Sequence, residues 1–592
     1  MRIARTLLIS GAAVVTGVAL FAQGRNIGNE WPTALGDAQR TNWMRSDPNI
    51  SAETLAKSGF ELQWRAGLEG QRGLKPAVQG VTVNGVTLFT PLSIVTGMND
   101  AIAIDNDTGE TFWYKTFGPA PAASGACTAT PVAATRQAPL VPAAPTVGGA
   151  AGRGGRGGYS SAVGNPGEGA PIPAGAGRGG ANAAGAGRGA GAPNTAPPAG
   201  APAAGAPPAG TPPPGAPAAA PQGAAAPQGA PAAPGAPPAA GRGGGGGGGG
   251  FGRPSGVVYA LARDGMLHVV GLASAKETYK PAPFVPAGAR ATDLLAVNDM
   301  LYTSTTGKCG GSADAVYAMD LASEAKPVVS YKTTGSPVGA VALTTDGTVV
   351  AVVTNGVVTL DPKTLAVKQS FTDSATTFAT GPLIFTHGGK DVVAAGSKDG
   401  RILLFDATLS APIASVKVAS DAGATFGADA LAFFQQYSAP QPDAAPAPAP
   451  AQPPAGGRGF GGGAPAVPMV PGQPWLLATT SNAIVAFRIE GGEKPALTPG
   501  WTSRPLTTPA APLVVNNVVF AASSGKPATP SGAGSAAVLY ALNAMNGKDL
   551  WNSGTTLKSY MPGRALWTSN SQVYVGGNDG AVYAFGFPLD RK

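Results

Sequence analysis

A short phrase recurs along this chain, and it constrains the fold more than any other feature. It spells Ala-Ile-Asp-Asn-Asp-Thr-Gly-Glu-Thr-Phe-Trp over residues 103–113 and Ala-Leu-Asn-Ala-Met-Asn-Gly-Lys-Asp-Leu-Trp over residues 541–551. Weaker copies begin at Ala318 and Thr359, and the copies follow apolar runs rich in β-branched or aromatic residues. A phrase repeated in this way predicts one supersecondary unit that is used several times.

Each residue type in the phrase has a structural reason. An Asp or Asn at the end of a strand bonds backbone groups of the following turn, and a Gly in that turn is free to take a positive φ. An indole on the returning strand covers apolar surface between neighbouring units and keeps its N–H on an acceptor. The residues expected in these roles are Asp105, Asp320, Asp361 and Asn543, then Gly109 and Gly547, then Trp113 and Trp551.

Units of this kind predict a ring. A four-stranded sheet cannot bury both of its faces alone, so several such sheets must close around an axis. We therefore predict an all-β fold, a single eight-bladed β-propeller of four-stranded antiparallel blades. Without a leader and two inserts described below, roughly 420 residues remain, about 50 per blade for eight blades, which is near known propeller repeats. Seven blades is the alternative.

The phrase resembles the repeat of the quinoprotein alcohol dehydrogenase-like (PQQ-repeat) β-propeller superfamily. That superfamily includes quinone-dependent alcohol dehydrogenases and non-catalytic relatives, such as the lipoprotein of the outer-membrane barrel assembly machine. The resemblance covers most of the chain outside the inserts and is closer to the non-catalytic members. One departure is that no Cys follows the apolar N-terminal stretch, which excludes the lipid-anchored Cys of that lipoprotein.

The two ends of the chain complement each other. Residues 60–64 (Phe-Glu-Leu-Gln-Trp) have the pattern of an outer strand without a blade, and residues 572–585 form a hairpin pattern that lacks an outer strand. An unpaired sheet edge is exposed to aggregation. We therefore expect a strand at about 60–65 to complete the last blade of a propeller that spans residues 23–592.

Two segments have the composition of disordered inserts. Residues 138–254 and 438–472 consist almost wholly of Gly, Ala and Pro. They contain too few large apolar side chains to offset the entropy of ordering. The Arg-Gly-Gly triplets of the first insert resemble RNA-binding segments, but in an exported protein we interpret them as part of a solvated tether.

The N-terminus predicts export. Residues 1–22 contain two Arg, an apolar stretch from Leu7 to Phe21 and a small residue at Ala22, the pattern of a cleaved signal peptide. The apolar stretch is shorter than the roughly 20 residues of a membrane span, although an uncleaved anchor is the alternative. We expect a periplasmic or secreted protein with no membrane span after cleavage.

The net charge of +8 does not indicate a nucleic-acid partner. Two of the positive charges belong to the predicted signal, and residues 138–254 hold six Arg against one Glu. The remaining chain is close to neutral, so it offers no basic groove.

Cys127 and Cys309 are the two cysteines. Export places them where disulfides persist. Cys127 opens the run Cys-Thr-Ala-Thr-Pro-Val, which we predict to be the inner strand of one blade, and Cys309 lies in a predicted loop of the next. We expect a disulfide between them, with two separate buried thiols as the alternative.

The dehydrogenases of the superfamily imply a quinone in the central channel, a calcium ion, a catalytic Asp and often a disulfide of adjacent cysteines. This chain has no adjacent cysteines, and its prominent acids, with Asp406 among them, occupy turn positions. Its two histidines, His268 and His387, lie at unrelated blade positions and give neither a metal cluster nor a triad. We assign no catalytic residue, no metal ligand and no cofactor.

The sequence therefore favours an exported, non-catalytic β-propeller that acts as a binding or scaffold protein, with a protein or cell-envelope component as partner. The alternative is a PQQ-dependent oxidoreductase with quinone and calcium in the propeller channel. A third interpretation, a secreted polysaccharide lyase, needs an acid and a base that the sequence does not reveal.

Overall fold

Eight antiparallel sheets form the blades of one β-propeller with almost no helix. The eight-bladed prediction is confirmed. The computed structural model describes residues 31–68, 75–82, 91–118, 127, 131–142, 144–147, 256–272, 274–418, 426–438, 467–530, 532–563 and 565–588, with backbone alone at 75–82, 91, 146–147 and 467–468. The predicted signal peptide lies outside the described residues.

The chain enters through a short lead-in and then builds the blades in sequence order, from the inner strand outward. The lead-in contains β1 (Trp43–Met44), the helix α1 (Ala52–Leu55) and β2 (Glu61–Gly67). Blade 1 is β3 (Lys75–Thr82), β4 (Pro91–Thr96), β5 (Asp100–Asp105) and β6 (Thr111–Thr116). Blade 2 starts with β7 (Ala133–Thr135), is interrupted after the short strand β8 (Thr146–Val147), and resumes with β9 (Val257–Leu261), β10 (Met266–Gly271) and β11 (Glu277–Pro283).

Blades 3, 4 and 5 are uninterrupted meanders. Blade 3 is β12 (Leu295–Val297), β13 (Met300–Thr305), β14 (Ala315–Asp320) and β15 (Val328–Lys332), with a 3₁₀ turn at Cys309–Gly311. Blade 4 is β16 (Ala342–Leu343), β17 (Val349–Val353), β18 (Gly356–Leu360) and β19 (Val367–Thr372). Blade 5 is β20 (Leu383–His387), β21 (Lys390–Gly396), β22 (Arg401–Phe405) and β23 (Ala414–Lys417).

Blades 6, 7 and 8 complete the ring. Blade 6 is β24 (Leu431–Ser438), β26 (Val470–Thr479), β27 (Ile484–Glu490) and β28 (Ala496–Thr502), with β25 (Val467–Pro468) just before β26. Blade 7 is β29 (Leu513–Val515), β30 (Val518–Ser523), β31 (Val538–Asn543) and β32 (Asp549–Asn552), to which β1 adds a fifth, parallel strand. Blade 8 is β33 (Leu566–Ser569), β34 (Gln572–Gly576), β35 (Ala581–Gly586) and, outermost, β2.

The apolar runs of the sequence explain which strands are buried. In blade 4, every residue of β17 and β18 is buried, because both faces of a middle strand pack against neighbouring blades. Outer strands such as β15 alternate between exposed and half-buried residues. The core is thus a set of apolar layers between blades.

The last blade is closed by a strand from the start of the chain. β2 pairs antiparallel with β35, and the Leu68 N–H donates to the Gly580 carbonyl at 2.6 Å. Arg65 on β2 reaches Asp579 in the turn before β35 at 3.0 Å, and Tyr583 donates to the same carboxylate at 2.7 Å. Residues 61–67 are therefore the outermost strand of the blade built from residues 566–586.

The ends of both predicted inserts belong to the folded part of the chain. Insert residues 138–142 and 144–147 are placed, and Ala138 is buried with its N–H on the Ala296 carbonyl at 2.7 Å. At the second insert, β24 continues to Ser438 and the chain is described again from Val467. β8 pairs with β25, so these two ends meet in a two-stranded ladder. The residues between them, 148–255 and 439–466, lie outside the described part of the chain.

The Arg65–Asp579 contact yields a prediction about closure. Burial raises the pKa of Asp579, but the hydrogen bonds from Tyr583, Arg65 and Ser559 outweigh burial and hold that pKa below its usual value. A carboxylate with a lowered folded-state pKa stabilises the fold above the unfolded pKa, and that stability is lost as the pH falls through the folded pKa.

We expect Asp579→Asn to destabilise the protein at pH 7 by up to about 1 kcal/mol, a modest value because the Arg65 side chain of the ion pair is 45% exposed and solvent screens the pair. The difference from the wild type should shrink as the pH falls below the unfolded-state value of about 3.9 and vanish below the lowered folded-state pKa of Asp579. Urea unfolding of both proteins across this pH range measures the effect, and an equal difference at all pH values would contradict it.

Candidate functional site

The centre of the ring is occupied by the chain's own residues 31–44, here called the central segment. Its backbone carbonyls pair with the inner strands of successive blades. Those of Ala38, Gln39, Thr41, Asn42 and Met44 accept, in that order, from the N–H groups of Leu343, Ile384, Phe433, Val514 and Asn516 at 2.8–3.0 Å. The segment thus follows the inner wall of the channel from blade 4 to blade 7.

The same segment also reaches blades 2 and 3. The Pro32 carbonyl accepts from the Arg136 N–H at 2.9 Å, and the Thr33 hydroxyl donates to the Leu294 carbonyl at 2.8 Å. An inner strand has one free edge that faces the channel, and its buried backbone groups need partners. The central segment provides these partners for six of the eight blades.

Turns inside the segment explain how so short a piece of chain can follow a curved wall. Leu35, Arg40 and Asn42 take positive φ values of 62°, 62° and 55°. The Asn42 N–H donates to the Leu35 carbonyl at 2.9 Å, and the Thr41 N–H donates to the Asp37 carboxylate at 2.9 Å. Local hydrogen bonds of this kind offset the cost of a left-handed backbone outside glycine.

Arg40 is the most deeply buried charged residue of the centre, with 1% of its surface exposed. Its Nε donates to the Val341 carbonyl at 2.9 Å, and its Nη1 donates to the Ala34 carbonyl at 2.6 Å and to the Thr33 hydroxyl at 3.1 Å. Burial lowers the pKa of Arg40 to about 10, since desolvation outweighs the attraction of Asp37. The guanidinium therefore ties the segment to itself and to blade 4.

A small cavity lies beside Arg40, between the central segment and the starts of the inner strands of blades 4, 5 and 6. It is lined by Leu35, Arg40, Ala340, Gly381, Pro382, Leu383, Ala428, Asp429 and Leu431. The space accessible to a water-sized sphere is about 10 Å³, which is room for about one water molecule.

This cavity does not fit the quinone that the superfamily resemblance implies. A tricyclic quinone needs a flat slot far larger than one water, and its carboxylates and carbonyl need several cationic partners. The cavity offers one guanidinium, already bonded through Nε and Nη1, among mostly small and apolar residues. Among the residues that the structure describes, no group of three His, Cys, Asp or Glu side chains could hold a metal ion.

The acids singled out in the sequence hold turns. The Asp105 carboxylate accepts from the Asp107 and Thr108 N–H groups at 2.8 and 3.1 Å. Asp320, Asp361, Asp406 and Asn543 each accept from the N–H two residues ahead at 2.8–3.0 Å. Each of these side chains thus bonds the turn that follows its strand.

The glycines and tryptophans of the phrase form contacts between blades. Gly109 and Gly547 have φ values of 75° and 69°. A Cβ on Gly109 would lie 2.5 Å from the Trp64 ring, and one on Gly547 would lie 2.5 Å from the Trp501 ring. Each glycine is therefore needed both for its φ and for the close approach of an indole from the preceding blade.

The indole N–H groups form hydrogen bonds to the neighbouring blade. Those of Trp64, Trp113 and Trp501 donate to the carbonyls of Asn106, Leu272 and Ala544 at 2.9, 2.6 and 2.8 Å. Trp551 faces blade 8. The outer strand of that blade is β2, from the start of the chain, so no turn connects β35 to it. It packs edge-on against Phe60 and Phe585 with ring centroids 4.9 and 5.4 Å apart.

The two cysteines are joined by a disulfide, with their Cα atoms 5.6 Å apart. Cys309 lies in the loop between β13 and β14, as expected. The inner-strand prediction for Cys127 is wrong, because β7 starts only at Ala133. Cys127 precedes the strand and so is free to reach the neighbouring blade.

The histidines lie apart from the centre. His268 is 8% exposed, and its Nδ1 lies 2.9 Å from the Glu277 carboxylate, which also bonds Lys115. His387 Nε2 lies 2.9 Å from the Gly492 carbonyl and links the turns of blades 5 and 6. Both are explained as structural contacts.

The central segment is the part of the site that sequence reasoning missed. The apolar residues of this 14-residue segment have neither helical nor strand periodicity. Most of the inner-strand residues that it bonds lie hundreds of positions away in the sequence. The available clue was two tryptophans, Trp31 and Trp43, ahead of the first blade, both of which are buried.

No protein-family profile matches the chain, and no curated protein matches it. Solved structures with a similar fold include two quinohemoprotein alcohol dehydrogenases. The enzyme from Comamonas testosteroni is 12% identical with a TM-score of 0.46, over 95% of this chain and 81% of that one. ADHIIG from Pseudomonas putida HK5 is 11% identical with a TM-score of 0.47, over 96% and 81%. BamB from Moraxella catarrhalis is 13% identical with a TM-score of 0.33, over 56% and 94%.

The glycine–indole contact yields a prediction with a matched control. We expect Gly547→Ala to destabilise the protein by roughly 1–2 kcal/mol through its positive φ and by a further 1–3 kcal/mol through the clash with Trp501. Gly554 has a φ of 54°, and a Cβ added there would meet nothing within 4 Å, so Gly554→Ala should show the φ cost alone. Equal shifts in the free energy of unfolding would mean that the indole contact is not tight.

Proposed function

We propose that the protein is an exported, non-catalytic β-propeller that binds a protein or another cell-envelope component and acts as a scaffold. The observation that carries this proposal is the central segment. A catalytic propeller of the resembling superfamily needs the ring centre for its cofactor. Here residues 31–44 hold the inner edges of six blades, and the cavity beside Arg40 has room for about one water.

The roles of the acidic residues support the same proposal. A dehydrogenase needs a base to take the substrate proton and a cation to polarise the quinone carbonyl. The acids of the repeat, such as Asp105 and Asp361, are engaged by backbone N–H groups in their own turns. Hydrogen bonds from Thr364 and from the backbone hold the pKa of Asp361 below its usual value, which makes it a poor base.

The faces of the ring are then the surfaces left for binding, because loops on a rigid scaffold carry function in many folds. One such loop is the exposed hairpin between β30 and β31, in which Lys526 pairs with Ser535 and Thr529 with Gly532. Among the described residues no helix is long and apolar enough to cross a bilayer.

The cofactor part of the proposal is tested by adding PQQ and calcium to the purified protein. We expect no saturable heat of binding, no shift in the thermal midpoint and no quinone-dependent dye reduction with alcohols or sugars. A calcium-dependent shift in the midpoint with quinone would contradict the non-catalytic proposal and favour the PQQ-dependent alternative.

The binding part is tested in cells. A photo-crosslinking residue at Thr529 should give a discrete adduct with an envelope component, whereas the same residue at the outer-strand position Val367 serves as a control for random collisions. Absence of adducts from a scan of the loops on both faces would contradict the scaffold proposal.

Export is tested by N-terminal sequencing of the envelope fraction. We expect the mature chain to begin near residue 23, and Val15→Arg to abolish cleavage because a charge interrupts the apolar stretch. A full-length chain beginning at Met1 in the envelope would contradict the signal peptide.

A further inference from the structure

The eight blade boundaries are not held alike. Four consecutive blades carry a tryptophan on the outer strand, each paired across the sheet with an alanine of the neighbouring strand. These are Trp501 in blade 6, Trp551 in blade 7, Trp64 in blade 8 and Trp113 in blade 1, opposite Ala486, Ala541, Ala584 and Ala103. Each of these indoles contacts the following blade, and we call this contact an indole clamp. Indole clamps thus cross the four boundaries from blade 6 through blades 7, 8 and 1 to blade 2.

The other four blades lack this clamp within their described outer strands. The equivalent residue of the outer strand is the one paired with the third-strand residue that lies two positions before the strand-ending position of the repeat phrase. In blades 2, 3, 4 and 5 this outer-strand residue is Tyr279, Val329, Gln369 and Ala414. Tyr279 is 44% exposed, with the Lys326 ammonium 4.9 Å from its ring centroid, rather than buried against a turn. We call the boundaries from blade 2 to blade 6 the unclamped arc.

Buried apolar layers and side-chain hydrogen bonds cross the boundaries of the arc. Tyr302 donates to the Pro362 carbonyl at 2.8 Å between blades 3 and 4. The Thr345 hydroxyl donates to the Asp391 carboxylate at 2.8 Å between blades 4 and 5. Such bonds contribute about 1 kcal/mol each, and the exposed ones less. They act beside the buried apolar layers between these blades. Two further links, here called fasteners, also cross the arc.

One fastener is the disulfide. Cys127 leads into the inner strand of blade 2, and Cys309 lies in a loop of blade 3, so the bond crosses the first boundary of the arc. This is the boundary between blades 2 and 3, where the outer strand of blade 2 carries the exposed Tyr279 in place of a buried tryptophan.

The second fastener is a strap formed by residues 136–142 and 144–147. It leaves the inner strand of blade 2 and passes blade 3, where the Ala138 N–H donates to the Ala296 carbonyl at 2.7 Å. Gln39 of the central segment donates to the Leu140 carbonyl at 2.7 Å and to the Leu343 carbonyl at 3.0 Å, which ties the strap to blade 4. The strap ends on blade 6 through the pairing of β8 with β25.

The strap therefore spans the same blades that lack indole clamps. Cys127 precedes β7 and the strap follows it, so the disulfide and the strap lie at opposite ends of that inner strand. We propose that the unclamped arc is a separable sector of the ring, fastened by the Cys127–Cys309 disulfide on one face and by the strap on the other, and that thiol redox state controls its opening.

Reduction transfers two electrons and two protons from an external dithiol, which is itself oxidised to a disulfide, and converts Cys127 and Cys309 into two thiols. Once Cys127 is released, blades 2 and 3 keep their hydrogen bonds and the strap but lose the crosslink. Blades 6, 7, 8 and 1 contain no cysteine and should not respond.

Hydrogen–deuterium exchange on the full mature chain, oxidised and after treatment with a dithiol, tests the proposal. We expect the amides of β13 and β14 in blade 3 to exchange about tenfold faster or more after reduction, since local openings are governed by local free energies. The amides of β30 and β34, in blades 7 and 8, should change by less than about twofold. The double variant Cys127→Ser with Cys309→Ser should reproduce the reduced pattern without reagent.

Two single variants distinguish local opening of the unclamped arc from a uniform loss of stability in all blades. The Leu140 side chain packs against the apolar cluster between blades 3 and 4. Leu140→Ser removes that packing and should therefore accelerate exchange in blades 3 and 4 and add to the effect of reduction. Trp501→Phe, which weakens a clamp, should accelerate exchange in blades 6 and 7 and leave blade 3 unchanged. Uniform acceleration of all blades on reduction, or none in blade 3, would overturn the proposal.

Discussion

The structure depends on hydrogen bonds to the backbone N–H and C=O groups at the free edges of the inner strands. Every blade presents one unpaired strand edge to the channel, and buried backbone groups without partners are costly. In this ring the chain itself provides the partners for most of these edges. The central segment provides carbonyls aimed at the N–H groups of Leu343, Ile384, Phe433 and Val514 in four successive blades.

This arrangement links closure of the ring to filling of its centre. The same lead-in that passes through the centre continues to β2, the outermost strand of blade 8. Between them, Asn516 of blade 7 bonds the carbonyls of Asp47 and Ile50 at 2.8 and 2.7 Å and fixes the path of the chain. One continuous stretch of about 35 residues therefore contacts the first-built and last-built blades alike. The contacts that residues 31–44 make with the inner strands are therefore structural ones.

The sequence predicted the local features well. Strand-ending acids, positive-φ glycines and the returning tryptophans follow from local geometry, so a single repeat suffices to recognise them. The order of the blades made a bond between Cys127 and Cys309 geometrically possible, with two separate thiols as the alternative, and the structure contains the bond. The central segment and the strap were missed because their partners are distant in sequence and their composition has no periodicity. The insert ends were misjudged for the same reason, since Ala138 and Val467 look like low-complexity chain but are ordered by contacts across the ring.

The account is tested most directly by two truncated chains, one beginning at residue 31 and one at residue 45, both of which keep β2. The loss of residues 31–44 removes the partners of at least six buried backbone or side-chain groups, at about 1 kcal/mol or more each. Urea unfolding should show the chain from residue 31 to be as stable as the mature protein, and the chain from residue 45 to lose several kcal/mol or its cooperative transition. Equal midpoints and slopes for the two chains would contradict the claim that the central segment holds the ring together.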